Sequence, residues 1–265
     1  MRTCFVDAHC HLQFDAYTDD RDFIIKQMRE QNVSAVVVGC DLESSRQAAA
    51  LAETHDNLVA AIGLHPAHAP QEVFNHEAYR ALAAHPKVVA IGECGLDFFR
   101  VEDTTDAAVQ EQKNLFTMQI ALAAELDKPL IIHARPTRGT MDAYHDALEL
   151  LTEAKKAFPN LRGDMHFFAG GLAEAEACIA LGFTVSFTAV ITFAREYDAV
   201  IRALPLASIL AETDAPYVAP VSHRGERNDP LAVIEVVAKI AEIRGDDLET
   251  VRTALLSNTM RLFAL

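Results

Sequence analysis

The chain has 265 residues, 51% of them hydrophobic, enough for one large core or two small ones. Its formal net charge is -15, so the overall field repels polyanions and excludes a protein that clamps duplex nucleic acid by broad counterion release. No apolar run approaches the ~20 residues of a membrane span, and polar Asp7, His9 and His11 interrupt any leader pattern, which predicts a cytoplasmic protein with no membrane partner. Five scattered cysteines without a C-x-x-C pair predict reduced thiols and no bridges.

The first strand is Phe5-Val6-Asp7-Ala8-His9-Cys10-His11-Leu12. Alternation sends Asp7, His9 and His11 to one face and Ala8, Cys10 and Leu12 to the other. Two imidazoles at a strand end suit one divalent transition metal, although a bare H-x-H pattern has many chance matches. A helix follows from Asp19 to Gln31, with Phe23, Ile24 and Met28 on one side. The strand Ser34 to Cys40 is apolar on both faces, the mark of a parallel strand covered by helices. Next come a helix from Leu42 to Thr54, a strand from Leu58 to Leu64 ending at His65, and a helix near Gln71 to Ala84. The strand Val88 to Glu93 runs into Cys94-Gly95-Leu96-Asp97, and a long helix carries Leu115, Met118, Leu122 and Leu126 at helical spacing.

The second half repeats the alternation. Strands are expected at Pro129 to His133, Arg162 to Phe168, Phe183 to Phe187 and Ser208 to Thr213, with helices at Met141 to Ala157, Leu172 to Leu181 and about Ala194 to Leu204. The longest irregular stretch is Pro216 to Asn228. Asp229 and Pro230 then open a helix with Val233, Val236, Val237 and Ile240 as its buried stripe and Gly245 as its left-handed stop. Asp246 to Glu249 resembles a capping box for a last helix to Leu262. Eight strands alternating with helices, without a low-complexity linker, predict an α/β protein: a single (β/α)8 TIM barrel over residues 1–265. A doubly wound sheet is the competitor, but no G-x-G-x-x-G or G-x-x-x-x-G-K supports it.

Chemically useful side chains collect where strands end: His9 and His11, His65, Glu93, His133, His166 and Asp214. In a barrel those ends share one rim, where barrel enzymes place their active sites. Each residue alone has a bland explanation, such as a half-buried histidine capping a strand; coincidence at so many strand ends is a poor account. Four imidazoles and two carboxylates (His9, His11, His133, His166, Glu93, Asp214) exceed one tetrahedral ion and suit two divalent ions sharing a carboxylate. Cys94 points opposite to Glu93 and reads as core.

The motifs Phe5 to Leu12, Gly63-Leu-His65-Pro, Ile91-Gly-Glu93-Cys-Gly-Leu-Asp97, Ile132-His133-Ala-Arg135, Glu212-Thr-Asp214-Ala-Pro-Tyr217 and Asn258-Thr-Met-Arg-Leu-Phe263 together resemble the TatD family of metal-dependent hydrolases. The resemblance runs from residue 5 to 263. It implies a TIM-type barrel, two divalent cations (Mg, Mn or Zn), and hydrolysis of phosphodiesters, typically Mg-dependent trimming of single-stranded DNA from the 3′ end; deacylation of D-aminoacyl-tRNA is also ascribed to the family. It further implies that His9, His11, Glu93 and Asp214 hold one cation and Glu93, His133 and His166 the other. His166-Phe-Phe-Ala-Gly stands where the family usually reads His-Cys-Phe-Ser-Gly, and Asn228-Asp-Pro where it reads Asn-Glu-Pro. The ligands survive both departures, and the rim contacts that set substrate preference are what they put in question.

On this reading Glu93 anchors both cations and Asp214 takes a proton from the attacking water. Arg135 either binds phosphate with its planar fork or forms a rim salt bridge. His65 and His68 are candidate phosphate contacts. His223, Arg224, Arg227 and Asn228 in the late loop, and Arg100, either offset the acidic surround or are ordinary solvated residues. A small-molecule amidohydrolase or esterase on the same barrel is one rival, although Lys87 and Lys128 precede their strands and fall at the opposite rim. The other rival is a non-catalytic metal or nucleic-acid binding module. A monomer is expected.

Overall fold

A computed structural model describes residues 3–68, 72–99 and 106–265. Eight parallel strands form one sheet in chain order: β1 Phe5–Cys10, β2 Val33–Val38, β3 Leu58–Ile62, β4 Val88–Asp97, β5 Leu130–Arg135, β6 Gly163–Met165, β7 Thr184–Phe187 and β8 Ile209–Ala211. The helices between and after them are α1 Arg21–Glu30, α2 Leu42–Thr54, α3 His76–Ala83, α4 Asp106–Glu125, α5 Asp142–Ala157, α6 Leu172–Ala180, α7 Asp198–Ala203, α8 Val233–Arg244 and α9 Leu248–Phe263. The ring closes between the end of β1 and the stretch just past β8. The Asp214 N–H donates to His9 O at 2.9 Å and the His11 N–H to Ala215 O at 2.7 Å, around a parallel bridge between Cys10 and Ala215.

Two apolar layers follow from strand alternation. Val36, Val38, Ala61, Ala90, Ile131 and Leu210 fill the barrel interior with Ala8, and Leu262 and Phe263 of α9 close one end. Alternate residues, such as Ala35, Val37, Ala60 and Ile62, join the larger core under the helices. The interior is therefore largely packed side chain, and open space for a site lies at the strands' C-terminal ends. Among the described residues no helix is long and apolar enough to cross a membrane, and all five cysteines are free.

Several expectations are corrected locally. Strict alternation fails in β1, where the register to β2 shifts between Asp7 and Cys10, so Ala8 joins the interior while Cys10 and Leu12 join the outer core. Strand β4 runs four residues past Glu93, to Asp97, because its pairing with β5 resumes after a shift between Ile91 and Cys94. Phe23 is exposed and Ile25 takes its place in the buried face of α1. Met118 is also exposed, the buried stripe of α4 being Leu115, Phe116, Gln119, Ile120, Leu122 and Ala123. Asp229 caps a short 3-10 turn, Pro230–Ala232, ahead of α8, and α9 is capped by Asp247, which accepts from Thr250 N–H. The expected helix start at Gln71 and the rim residue Arg100 lie outside the described residues.

Candidate metal centre

Glu93 is the hub of the rim. It follows a cis Gly92–Glu93 peptide, inside the shifted stretch of β4, and its side chain turns into a cavity of about 710 Å³ at the strands' C-terminal ends. Its Oε1 lies 2.9 Å from His133 Nδ1, 3.2 Å from His166 Nε2 and 3.3 Å from His65 Nε2. Its Oε2 lies 3.6 Å from His9 Nε2 and 3.8 Å from His11 Nε2. Asp214, with positive φ just after β8, places Oδ1 at 3.4 Å from His11 Nε2 and 3.8 Å from His9 Nε2. The six residues proposed from the sequence as ligands thus converge on one place, although β1 and β4 are irregular where they carry them.

The chemistry of the donors fits divalent cations. His11 Nδ1 lies 2.8 Å from Val38 O, an acceptor, so that nitrogen carries the ring proton and Nε2 presents a lone pair. That lone pair faces His9 Nε2 at 3.2 Å and two carboxylate oxygens. A divalent cation at that point would satisfy these electron-rich atoms together. His166 and His133 are oriented in the same way by carboxylates, Glu212 at 3.1 Å from His166 Nδ1 and Asp97 at 3.2 Å from His133 Nε2. Potential ligand atoms lie within 4.8 Å of one another in overlapping sets: His9, His11 and Glu93; Glu93, His133 and His166; and His9, His166 and Asp214. His166 belongs to two of these sets, and its ring stacks on His9 at 3.8 Å.

Burial and charge compete at each group. Burial pushes the Glu93 carboxyl up, but the His65 and His166 imidazoles, with hydrogen bonds from His133 and His166, hold it well below the usual range. Burial lowers His9 well below its ordinary value, reinforced by His166. His166 is raised well above its own despite burial, because Glu212 and Glu93 flank it. Behind the ligands, Asp7 is spent on Thr213, accepting from its N–H at 2.9 Å and its hydroxyl at 2.6 Å, and is not a ligand in this arrangement. Deeper still, Ser186 Oγ sits 2.6 Å from Asp164 Oδ2 and 2.8 Å from Glu212 Oε2. Burial, aided by Glu212, pushes Asp164 up to about 7.

The proposed substrate contacts divide. His65 is buried in the centre itself, its Nδ1 accepting from Ala67 N–H at 3.0 Å, while His68 and Arg135 line the cavity with the apolar surfaces of Phe14, Phe167 and Tyr217. Arg135 stacks its guanidinium over Phe99 at 4.1 Å. Asn228 is fully buried; its amide donates to the carbonyls of Thr213, Tyr217 and Val218, so it clamps the late loop and cannot reach a substrate. Arg227 is committed to Asp20 and Tyr17, Arg224 stacks over Phe193, and His223 bonds Ser222; none of the three lines the cavity. Sequence reasoning named neither Asp97 nor Glu212 as a partner of a ligand. Their even spacing, Asp97 from Glu93 along β4 and Glu212 from Asp214 just past β8, was the available signal.

The matching family model, TatD related DNase, covers residues 6–264. The uncharacterized metal-dependent hydrolase YabD of Bacillus subtilis is 35% identical over 98% of both chains. The 3′-5′ ssDNA/RNA exonuclease TatD of Erwinia amylovora is 34% identical over 98% of this chain and 99% of its own. The crystal structure of the TatD homologue YjjV from Escherichia coli superposes with a TM-score of 0.89, at 31% identity and full coverage of both chains. A rim of imidazoles and carboxylates on a closed parallel barrel, matched along its whole length by such relatives, places this chain in the TatD family of metal-dependent hydrolases.

Proposed function

We propose that this chain is a two-cation phosphodiesterase that trims single-stranded DNA, or RNA, from the 3′ end. The observation that carries the reading is the division of labour within Glu93: one carboxylate oxygen faces His65, His133 and His166, and the other faces His9 and His11. A carboxylate so placed would serve as a shared ligand of two cations. Bound there, divalent ions lower the pKa of an attacking water and neutralise charge building on a phosphate oxygen.

The remaining roles belong to side chains. Asp214 is the carboxylate at the edge of the cluster that also opens into the cavity, the position from which to accept the water's proton. Arg135 and His68, on the cavity wall, supply donors to a phosphate, and the exposed ring of Tyr217 offers an apolar wall to a base or sugar. The cavity opens outward, which suits a chain end with further nucleotides trailing away. The exonuclease name of the Erwinia relative supports a nucleic-acid substrate.

The amidohydrolase rival draws no support from lysine. Lys87 Nζ bonds the carbonyls of His55, Asp56 and Leu58, and Lys128 Nζ bonds Val88 O, all at the far ends of the strands, and no lysine lines the cavity among the described residues.

The test incubates purified protein with 5′- and 3′-labelled single- and double-stranded oligonucleotides and an amide panel, after chelation and after adding Mg, Mn or Zn. A ladder shortening from the 3′ end of single strands, only with metal, is expected. Asp214→Asn should lower turnover about 10²- to 10⁴-fold, and Glu93→Ala at least as far, with melting temperature little changed. Full-speed cleavage by chelated protein, or hydrolysis confined to amides, would overturn the reading.

A further inference from the structure

The imidazoles of the centre differ in what stands behind them. A histidine that binds a metal through one nitrogen is oriented, and made more or less basic, by the partner of the other. His166 Nδ1 is backed by the Glu212 carboxylate at 3.1 Å and His133 Nε2 by the Asp97 carboxylate at 3.2 Å. His11 Nδ1 has only a neutral carbonyl, Val38 O at 2.8 Å. His9 Nδ1 is buried with no hydrogen-bond partner.

Glu212 is itself held from both ends. Its Oε1 also accepts the Phe167 N–H at 2.6 Å, and its Oε2 accepts from Ser186 Oγ at 2.8 Å. Ser186 meets Asp164 Oδ2 at 2.6 Å, and Asp164 Oδ1 accepts from Thr184 Oγ1 at 2.6 Å. Thr184 and Ser186 lie on β7, Asp164 on β6 and Glu212 just past β8, so the string crosses three strands and ends on one imidazole. Ser186 and Glu212 are completely buried. An interior filled elsewhere by Val, Ala, Ile and Leu has no packing need for two carboxyl groups and a hydroxyl, whose burial is costly unless every partner is in place.

We propose that Ser186 is a positioning residue for the metal centre: through Glu212 it fixes the imidazole of His166, so that the half of the site built on His133 and His166 takes its divalent cation more tightly than the half built on His9 and His11. The proposal rests on the two-cation reading above. It adds an order of loading, the braced half filling first and the other half exchanging its ion more readily.

The experiment titrates Mn2+ into metal-free wild type, Ser186→Ala, Ser186→Thr and Glu212→Gln, following heat by calorimetry and free ion by electron paramagnetic resonance, with thermal melting of each metal-free protein alongside. Wild type should show two binding events about 10- to 100-fold apart in affinity. Ser186→Ala and Glu212→Gln should weaken the tighter event by a similar factor and leave the weaker one in place, and Ser186→Thr, which keeps the hydroxyl, should restore it. His9→Ala should remove the weaker event and so assign it. Two equal events in wild type, parallel weakening of both events in Ser186→Ala, or lowered melting with unchanged Mn2+ binding would each overturn the proposal while leaving the two-cation reading intact. Should Ser186→Ala not fold, Glu212→Gln alone must weaken the tighter event selectively. A folded wild-type protein that binds no Mn2+ would overturn both.

Discussion

Asp164 is a carboxyl whose proton the fold controls. Burial moves its carboxyl from an ordinary value of 3.8 to about 7, so between those values the folded chain keeps a proton that the unfolded chain releases. The unfolded state then binds fewer protons, and stability falls as pH rises from about 4 to about 7. Metal-free wild type should therefore lose stability relative to Asp164→Asn across that window, by a few kcal/mol at most on the order of the linkage argument. Urea midpoints of both proteins at the two ends of the window measure it, and parallel pH dependences would contradict it. At this scale the sequence disclosed the converging groups well, because His9, His11, Glu93, His133, His166 and Asp214 all fall where strands end. It disclosed their supports poorly. Asp164 and Ser186 fall inside the strands expected at Arg162 to Phe168 and Phe183 to Phe187, where nothing in their own segments marks them, and only the meeting of β6, β7 and the end of β8 makes them one hydrogen-bonded string. Asn228 misled for the opposite reason: a polar residue in a late loop reads as a contact, whereas the folded loop turns its amide inward onto three carbonyls.

Strand β4 shows how an element aims a ligand. Gly95 has φ of 131°, and a Cβ built there would lie 2.1 Å from His133 O, so backbone of β4 and β5 meet where no side chain fits. Gly95→Ala should push the two strands apart, separating Glu93 from His133, at a cost above about 1 kcal/mol and with loss of activity. A normal melting temperature and normal turnover in Gly95→Ala would show that the contact is dispensable. The number and order of strands were legible from the alternation of apolar runs with helical spacing. The extension of β4 to Asp97 and the displaced residues in β1 were not, since a register shift depends on the neighbouring strand and leaves no periodic trace in its own sequence. Phe23 and Met118 were misplaced because so small an apolar set on a helix is compatible with two adjacent stripes, and packing selects between them.

For the whole molecule, a net charge of -15 means that affinity for a polyanion has to come from few places. Among the described residues Arg135 is the arginine on the cavity wall, and Arg227, in the late loop, is paired with Asp20. A plot of log KM for a single-stranded oligonucleotide against log salt, at fixed excess Mg2+, should have a slope of only about 1 to 2, since each neutralised phosphate contributes roughly 0.7. A slope several times steeper would reveal a basic track beyond the cavity. The closure of the ring carries a separate consequence. The peptide groups that seal it, His9 with Asp214 and His11 with Ala215, belong to three of the residues assigned to the ions. The same hydrogen bonds thus seal the barrel and bring the proposed ligands at the ends of its first and last strands together, across about 200 positions of sequence. On the proposed assignment, a chain made only through β8 has both early histidines but no Asp214 beside them, and should turn over no substrate.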